Sequence, residues 1–460
     1  MKFDKMANQI SKLLKDEGVE IDSSLSNDVI SSIELWSKMY KNEATWIDNK
    51  VIKSACIPSS IAGEIARLTT LEAKIEVDGS AKGKFINDAL ANVKNKLREY
   101  VEYGCAKGSL IFKPYLSGNG ISVQIVQADC FFPVAFDDSG NITRCVFTEQ
   151  FRDGRNIYTR LEIHTLKNEK LTITNRAFRS MSDDVLGSEI NIATVPQWSK
   201  LQYSTTFANV SQLPFGYYRF PIANEFNAPI GASCYSKAVH LIAEADRRYS
   251  QECWEFEAKE AAVNIAESMM FFNKETGSYQ APKGKERLYR PFRWDSGVTD
   301  KPFMNEYSPD IRIEQYAKGY EEQLRKIEFS CSLAYGTLSN INNVDKTAEE
   351  IKTSKQRSYA MVSDNQKALQ GALEQLIYAL DFYVTIYNLV PNGKINTQFE
   401  WDDSIIVDSE KERMRDMQEV TMGIMPKYMY IMKWYGVDED KAKMIISENT
   451  GTDGLAYGDE

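Results

Sequence analysis

Apolar residues recur at three- and four-residue spacing along the first hundred residues, which is the period of amphipathic helices. Residues 27–40 and 85–103 show this spacing most clearly. In the second segment, a single apolar stripe consists of Phe85, Ala89, Val93, Leu97 and Val101. The pattern therefore predicts a helical N-terminal region.

The period changes to two between residues 109 and 179, which is typical of β-strands. The segments 109–116 and 121–127 flank Asn119-Gly120, a dipeptide that favours a tight hairpin turn. Further turns are predicted at D-D-S-G-N, R-D-G-R-N and K-N-E-K. Strands joined by such short turns must be antiparallel neighbours, so we expect a meander of about five or six strands.

Two long helical segments follow a boundary that is rich in Pro and Gly. We expect the first helix over residues 234–262 and the second over residues 311–333. The segment between them, residues 271–310, is rich in Pro, Gly and aromatic residues. This order predicts a compact insertion bracketed by two helices that lie side by side.

The sequence AYGTLSNINNVD after the second helix has no periodicity and predicts an exposed loop. Thr347 and Glu350 form a capping box that begins a helix expected to reach residue 389. The second half of this helix is apolar almost all round, so we expect it to be buried. A returning strand and two or three short helices, divided by Gly423, Pro426 and Gly436, complete the chain.

The charge balance argues against a protein that binds nucleic acid over its whole surface. The chain has 55 Lys and Arg against 65 Asp and Glu, a net charge of −10. Residues 401–460 alone contribute −7 of this charge. Because phosphate contacts need Lys and Arg, a general nucleic-acid-binding surface would normally be basic.

Few residues suit catalysis. The two histidines, His164 and His240, have no catalytic partner nearby in sequence, and we interpret both as structural. Phosphate-binding loops, zinc-protease and serine-hydrolase motifs are absent from the sequence. The seven scattered cysteines are typical of reduced thiols. We therefore expect no catalytic residue, no metal site and no cofactor, and neither a signal peptide nor a membrane span.

The order of these segments resembles the portal proteins of tailed bacteriophages, in the group found in phages of Gram-positive bacteria. The resemblance lies in the order and spacing of several runs: SIAGEIARLTTLEAKIEV, SLIFKPYLSGNGISVQIVQADCFFPVAFDDSG, PIGASCYSKAVHLIAEADRRYSQECWEFE, GTLSNINNVDKTAEEIKTS and FEWDDSIIVDSEKERMRDMQEV. It implies an α+β fold with a helical stem, a β-rich wing, a small clip and a helical crown.

The resemblance also implies how the chain divides. The expected parts are a wing (1–232), a stem helix (233–270), a clip (271–310), a second stem helix (311–334), a tunnel loop (335–346), a long helix with the returning strand of the wing (347–408), and a crown with an acidic tail (409–460).

A portal protein forms a ring-shaped channel at one capsid vertex, for genome packaging, head–tail joining and DNA ejection. The implied partners are further copies of the chain in a ring of twelve, the large terminase subunit, the head–tail adaptor, the major capsid and scaffolding proteins, and double-stranded DNA, with no membrane. The implied location is the virion, with the host cytoplasm during assembly.

Two groups of residues become candidate contacts. The tunnel-loop candidates that would face DNA are Asn340, Asn342, Asn343, Asp345 and Lys346. The clip candidates that would face a partner are Lys283, Lys285, Arg287, Tyr289, Arg290, Phe292, Arg293 and Trp294. A plain polar loop and a solvated turn with core aromatics explain the same residue types.

Two other functions fit the sequence. The first is another structural component of the virion, such as a baseplate or capsid-associated protein. The second is an enzyme that acts on nucleic acid with Asp402, Asp403 and Asp408 as metal ligands.

Overall fold

The computed structural model describes residues 3–19, 26–71, 73–118, 120–182, 185–274, 277–280, 288–293, 304–340, 348–401 and 409–450. The fold is of the α+β class, as predicted. The chain divides into two units: Met1–Thr70 with Glu76–Gln398, and Leu71–Ile75 with Phe399–Glu460.

The N-terminal region consists mainly of helices. They and the strand among them are α1 (Phe3–Asp16), α2 (Asn27–Tyr40), α3 (Ile57–Thr70), β1 (Lys74–Asp78), α4 (Ala81–Ala89), α5 (Ala91–Asn95) and α6 (Leu97–Lys107). The predicted helix over residues 27–40 is confirmed, and the hydroxyl of Ser26 caps it by accepting the backbone N–H of Val29.

The single helix predicted over residues 85–103 is wrong. The backbone leaves helical geometry at Lys96, and two short helices meet at Leu90. The side-chain oxygen of Asn87 accepts hydrogen bonds from the backbone N–H of Val77 and from Lys94, which supports this local turn. As a result the buried stripe begins with Ile86 and Leu90, one position later than predicted, and then continues through Val93.

The antiparallel strands are confirmed. They are β2 (Ser109–Ser117), β3 (Gly120–Gln127), β4 (Phe131–Phe136), β5 (Ile142–Asp153), β6 (Asn156–Lys167), β7 (Lys170–Ser180), β8 (Ser188–Ile190), β9 (Ser204–Ala208) and β10 (Gly216–Arg219). They form two sheets instead of one meander: β10-β2-β3, and β4-β5-β6-β7-β8 with β9 beside β7. A 3₁₀ turn over Ala128–Cys130 replaces a tight hairpin after β3, so the chain enters a second sheet there.

Both faces of the larger sheet are covered. Helix α1 covers one face with Met6, Ile10 and Leu14, which pack against residues such as Phe132. On the opposite face, Trp198 belongs to a second buried apolar cluster.

The opposite face of this sheet carries an internal ionic cluster. Glu162 lies 2.7 Å from Lys113 Nζ and 2.6 Å from His164 Nε2. Burial alone would raise the pKa of Glu162, but Lys113 and His164 hold it well below its usual range. Burial lowers the pKa of His164. His164 is fully buried, which agrees with its interpretation as a structural residue.

The remaining elements are α7 (Val239–Ala258), β11 (Ala262–Ala266), β12 (Phe271–Asn273), β13 (Ser278–Gln280), β14 (Tyr289–Phe292), β15 (Met304–Tyr307), α8 (Ile313–Ser330), α9 (Ala348–Ile386), β16 (Asn396–Glu400), α10 (Ser409–Thr421), α11 (Lys427–Tyr435) and α12 (Glu439–Thr450). Thr347, the predicted helix cap, lies outside the described residues.

The first long helix is shorter than predicted. It begins at Val239, because the preceding residues form turns in which the backbone N–H of Ser236 bonds to the carbonyl of Ser233 and that of Ala238 to the carbonyl of Tyr235. It ends at Ala258, and residues 262–266, expected to be helical, form β11. The small sheet described below takes up the hydrogen-bonding groups of this segment.

Helix α9 is fixed to the first unit by polar contacts in the core. The side chain of Asn365 accepts a hydrogen bond from Tyr218 at 2.5 Å and donates one to Thr69 at 2.8 Å. The side chain of Gln375 accepts the backbone N–H of Tyr217 at 2.9 Å. The second half of α9 is buried on nearly all sides, as its composition predicts.

The second unit contains α10, α11 and α12, where two or three short helices were expected. Gly436 ends α11 in the left-handed conformation, with φ of 62°. Asp416 is buried and accepts hydrogen bonds from Lys433 and Trp434. Many apolar side chains of this unit remain exposed: Met414, Met417, Met422, Ile424, Met429, Tyr435, Met444 and Ile445.

The close approach of β10 to α9 can be tested with two glycines. A Cβ at Gly216 would overlap the carbonyl oxygen of Ala372, whereas the Cβ position of Gly371 faces open space. We expect Gly216→Ala to lower the free energy of unfolding by about 1–3 kcal/mol. Gly371→Ala, the matched control, should raise it by roughly 0.5–1 kcal/mol, because alanine favours a helix interior. Chemical denaturation measures both, and equal stability of Gly216→Ala and wild type would contradict the close contact.

Candidate functional site

Helices α7 and α8 lie antiparallel and side by side. Arg312, just before α8, pairs with Glu255 near the end of α7. Farther along, Arg248 donates to the carbonyl of Gly319 at 2.7 Å. Near the start of α7, the amide of Gln323 donates to the carbonyl of Leu241 at 2.9 Å. The two helices therefore form a hairpin, as the sequence predicts, with residues 259–312 at one end.

Glu255 joins the two helices at that end of the hairpin. Its side chain is 1% exposed and lies 2.7 Å from Lys259 Nζ and 2.9 Å from the Arg312 guanidinium. The hydrogen bonds from Arg312 and Lys259 lower the pKa of Glu255 to about 2. The carboxylate is thus ionised at neutral pH and holds both cations.

A second buried carboxylate fixes α7 to the N-terminal region. Asp246 accepts hydrogen bonds from the indole N–H of Trp46 and the backbone N–H of Ala55, each at 2.9 Å. Ser250 accepts the backbone N–H of Lys53 at 2.8 Å. Burial raises the pKa of Asp246, while these hydrogen bonds act in the opposite direction. The segment before α3 therefore lies along α7.

The insertion between α7 and α8 contains a small β structure. Strand β11 is central, parallel to β14 and antiparallel to β15, and β12 pairs with β13. Large apolar side chains in these strands are exposed, including Phe271, Phe272 and Met304. A surface of this composition is typical of protein–protein contact.

Four of the predicted clip residues lie in the described part of the insertion. Tyr289, Arg290 and Phe292 belong to β14, and Arg293 follows it directly. The Arg290 guanidinium lies over the ring of Tyr307, 5.8 Å from its centroid. The Arg293 side chain is 93% exposed and 3.8 Å from Glu267. Arg290 thus contacts an aromatic ring of the insertion itself, whereas the side chain of Arg293 faces solvent. Lys283, Lys285, Arg287 and Trp294 lie outside the described residues.

The segment after α8 is bound to the helix by acidic side chains. We call residues 335–340 the loop base. The carboxylate of Glu328 accepts backbone N–H groups of Gly336, Leu338 and Ser339. The backbone N–H of Asn340, the one described tunnel-loop candidate, donates to Glu321 at 2.8 Å. The other candidates, Asn342, Asn343, Asp345 and Lys346, lie outside the described residues.

An aromatic–cation contact connects the loop base to α9. The Arg357 guanidinium lies 4.6 Å from the centroid of the Phe329 ring and 5.3 Å from that of Tyr335. Such contacts are attractive because the face of an aromatic ring carries negative charge. The end of α8, the loop base and the polar half of α9 are thus in direct contact.

A polar cleft of about 730 Å³ lies elsewhere in the first unit. Most of its charged lining residues pair with one another, as in Lys107 with Asp129 and Lys113 with Glu162. Among the residues that the structure describes, no group of His, Cys, Asp and Glu could hold a metal ion. Asp402, Asp403 and Asp408, the alternative metal ligands, lie outside those ranges. No helix in the described ranges has the length and apolar composition needed to cross a membrane.

Sequence reasoning did not identify Glu255, Asp246 or Glu328. A signal existed for Glu328, which lies four residues after Leu324, on the apolar face of the predicted helix. A charged residue on a buried face implies a nearby partner. The sequence does not show which partner, because the donors come from a loop without periodicity.

Comparison with known proteins gives an extensive match to a protein family. The sequence profile of the family described as "Phage portal protein, SPP1 Gp6-like" matches residues 67–452, well over half of the chain. Among solved structures, the chain is similar to one described as "Neck of native GTA particle computed with C12 symmetry", with 11% identity and a TM-score of 0.40 over 88% of this chain and 91% of that one. No curated protein sequence matches.

The Glu255 contact predicts a pH dependence. Because the folded-state pKa is lowered from 4.5 to about 2, the stability it contributes is present above about pH 4.5 and is lost as the pH falls towards 2. We expect Glu255→Gln to be less stable than wild type at pH 7, with a difference that shrinks over this interval. Denaturation at a series of pH values measures it.

Glu257→Gln is the matched control. Glu257 lies on the same helix as Glu255, and its ion pair with Lys53 is exposed. Exposed pairs contribute little, so this variant should stay close to wild type throughout. A Glu255→Gln difference that does not change with pH would contradict the assigned role.

Proposed function

The chain belongs to the SPP1 Gp6-like family of phage portal proteins and is a structural portal protein, and we propose that twelve copies close into a ring that conducts double-stranded DNA. The ring would lie at the portal vertex of the capsid and serve packaging, head–tail joining and DNA ejection. Proteins of this family are structural, and we propose no chemistry for the chain.

The hairpin of α7 and α8 supports this proposal most directly. At ~1.5 Å per residue the 20 residues of α7 span ~30 Å. The small sheet lies at one end of this hairpin and the loop base at the other. Repeated around an axis, this unit would build a channel wall with an outward contact region and an inner loop.

The charge of the chain suits a conduit. DNA must slide without being held, and each Lys or Arg that neutralises a phosphate adds affinity through counterion release. A net charge of −10 per chain would make the assembled ring strongly negative. In this proposal, Lys346 and the amides of Asn340, Asn342 and Asn343 supply the few contacts to phosphate, beside Asp345.

The parts of the chain receive proposed roles. Residues 1–232 would form the wing, α7 and α8 the stem, and residues 409–460 the crown with its acidic tail. The small sheet would be the clip. Because β11 belongs to this sheet, the clip would begin at about residue 260 instead of residue 271. We propose that the clip contacts the large terminase subunit and then the head–tail adaptor. Other parts would meet the major capsid and scaffolding proteins during assembly in the host cytoplasm.

Electron microscopy of the purified chain tests the ring. We expect end-on views with rotational symmetry and a central hole, and a mass measured by light scattering that corresponds to twelve chains. A ring with a different number of copies would correct the proposed stoichiometry but would still support a ring. A protein that stays monomeric at high concentration would contradict the ring.

Substitution of Arg293 tests the clip. Because this guanidinium is exposed while Arg290 lies on Tyr307, we expect Arg293→Ala to weaken binding of the ring to the large terminase subunit by ~10-fold or more, as for an interface hot spot. Lys200→Ala, an exposed cation in the proposed wing, is the control and should bind as wild type. Equal binding of both variants and wild type would exclude Arg293 from the interface.

A further inference from the structure

Glu328 is a fully buried carboxylate two residues before the end of α8. An ionised carboxylate loses much free energy when it leaves water, unless hydrogen-bond donors replace the lost solvation. The structure therefore has to supply hydrogen-bond donors to Glu328. The residues that carry these donors show which part of the chain the side chain holds.

Among the residues that the structure describes, the donors to Glu328 come from the loop base. Glu328 Oε1 accepts the backbone N–H of Gly336 at 3.1 Å, of Leu338 at 2.6 Å and of Ser339 at 2.9 Å. Glu328 Oε2 accepts the hydroxyl of Ser339 at 2.9 Å. Hydrogen bonds to an ionised acceptor are about twice as strong as neutral ones. One side chain thus fixes the backbone at three of the four residues 336–339.

The end of α8 does not need this side chain. The backbone N–H of Leu333 bonds to the carbonyl of Glu328 at 2.9 Å, and that of Ser332 to the carbonyl of Phe329 at 3.2 Å. Ser332 is in the left-handed conformation, with φ of 57°. These bonds form a Schellman motif, which ends a helix with backbone groups alone. The carboxylate of Glu328 is therefore available to the loop base.

The loop base is also held from the other side. Tyr335 contacts the Arg357 guanidinium of α9, which in turn lies on Phe329 of α8. Asn340 is bound to Glu321 of α8. These contacts hold residues 335–340 between the two helices.

We propose that Glu328 is a positioning residue for DNA passage. Its carboxylate fixes the loop base, so that the chain leaves α8 for the channel from one defined point on the wall. The inference rests on the proposed function as a DNA conduit. Glu328 itself does not contact DNA in this proposal and acts through the loop backbone.

The first test measures the loop base directly in the full-length assembled protein. Hydrogen exchange should become at least ~10-fold faster at the amides of Gly336, Leu338 and Ser339 in Glu328→Ala, because each loses a bond to a charged acceptor. Glu328→Gln keeps one acceptor oxygen and should show a smaller increase. Glu321→Gln is the matched control on the same helix and should affect the Asn340 amide alone. Unchanged exchange in Glu328→Ala would overturn the proposal.

The second test measures DNA packaged by capsids that carry each variant ring together with terminase. We expect both Glu328 variants to form rings of wild-type mass. The amount of packaged DNA should fall at least ~10-fold in Glu328→Ala and by a smaller factor in Glu328→Gln. Wild-type packaging by rings whose three amides exchange faster would overturn the positioning role.

Failure of the proposed function gives a different result. If rings of the unsubstituted chain conduct no DNA, the defect is present without any change at Glu328. That result overturns the conduit, and the positioning role falls with it.

Discussion

A carboxylate that leaves water needs donors around it, and this requirement determines how the hairpin of α7 and α8 is held. Asp246 takes its donors from the segment before α3, Glu255 from the start of α8, and Glu328 from the loop base. Asp246 and Glu328 thus join the hairpin to other parts of the first unit, whereas Glu255 joins its two helices to each other. The apolar contacts between the two helices tolerate sliding, but the directed bonds between Glu255 and Arg312 fix one register.

Much of the fold follows from local patterns. The alternation after residue 109 and the short turns predicted antiparallel strands, and the apolar spacing over residues 27–40 predicted a helix. The errors arose where tertiary contacts outweigh local preference. Nothing local distinguishes the helix break at Leu90 from a continuous stripe, and the segment that forms β11 is a strand because β14 and β15 lie beside it.

The candidate site was predictable in outline and not in detail. The order of helix, insertion, helix and loop is visible in the sequence, and it carried the resemblance that the family match supports. Residue types alone could not separate Arg290, whose charge lies over an aromatic ring, from the exposed Arg293. That difference depends on strand pairing between residues far apart in sequence. The role of Glu328 depends likewise on a loop whose conformation no periodicity encodes.

Helix α9 has the mechanics of a lever. Its 39 residues make a rod ~58 Å long, pinned at Asn365 by the hydrogen bonds to Tyr218 and Thr69. The arm from Asn365 to Ala348 measures ~25 Å and carries Arg357, which contacts Phe329 and Tyr335. A tilt of ~5° about Asn365 would move the tip of this arm by ~2 Å. Small adjustments in the core around Asn365 would therefore be magnified at the polar end of the rod.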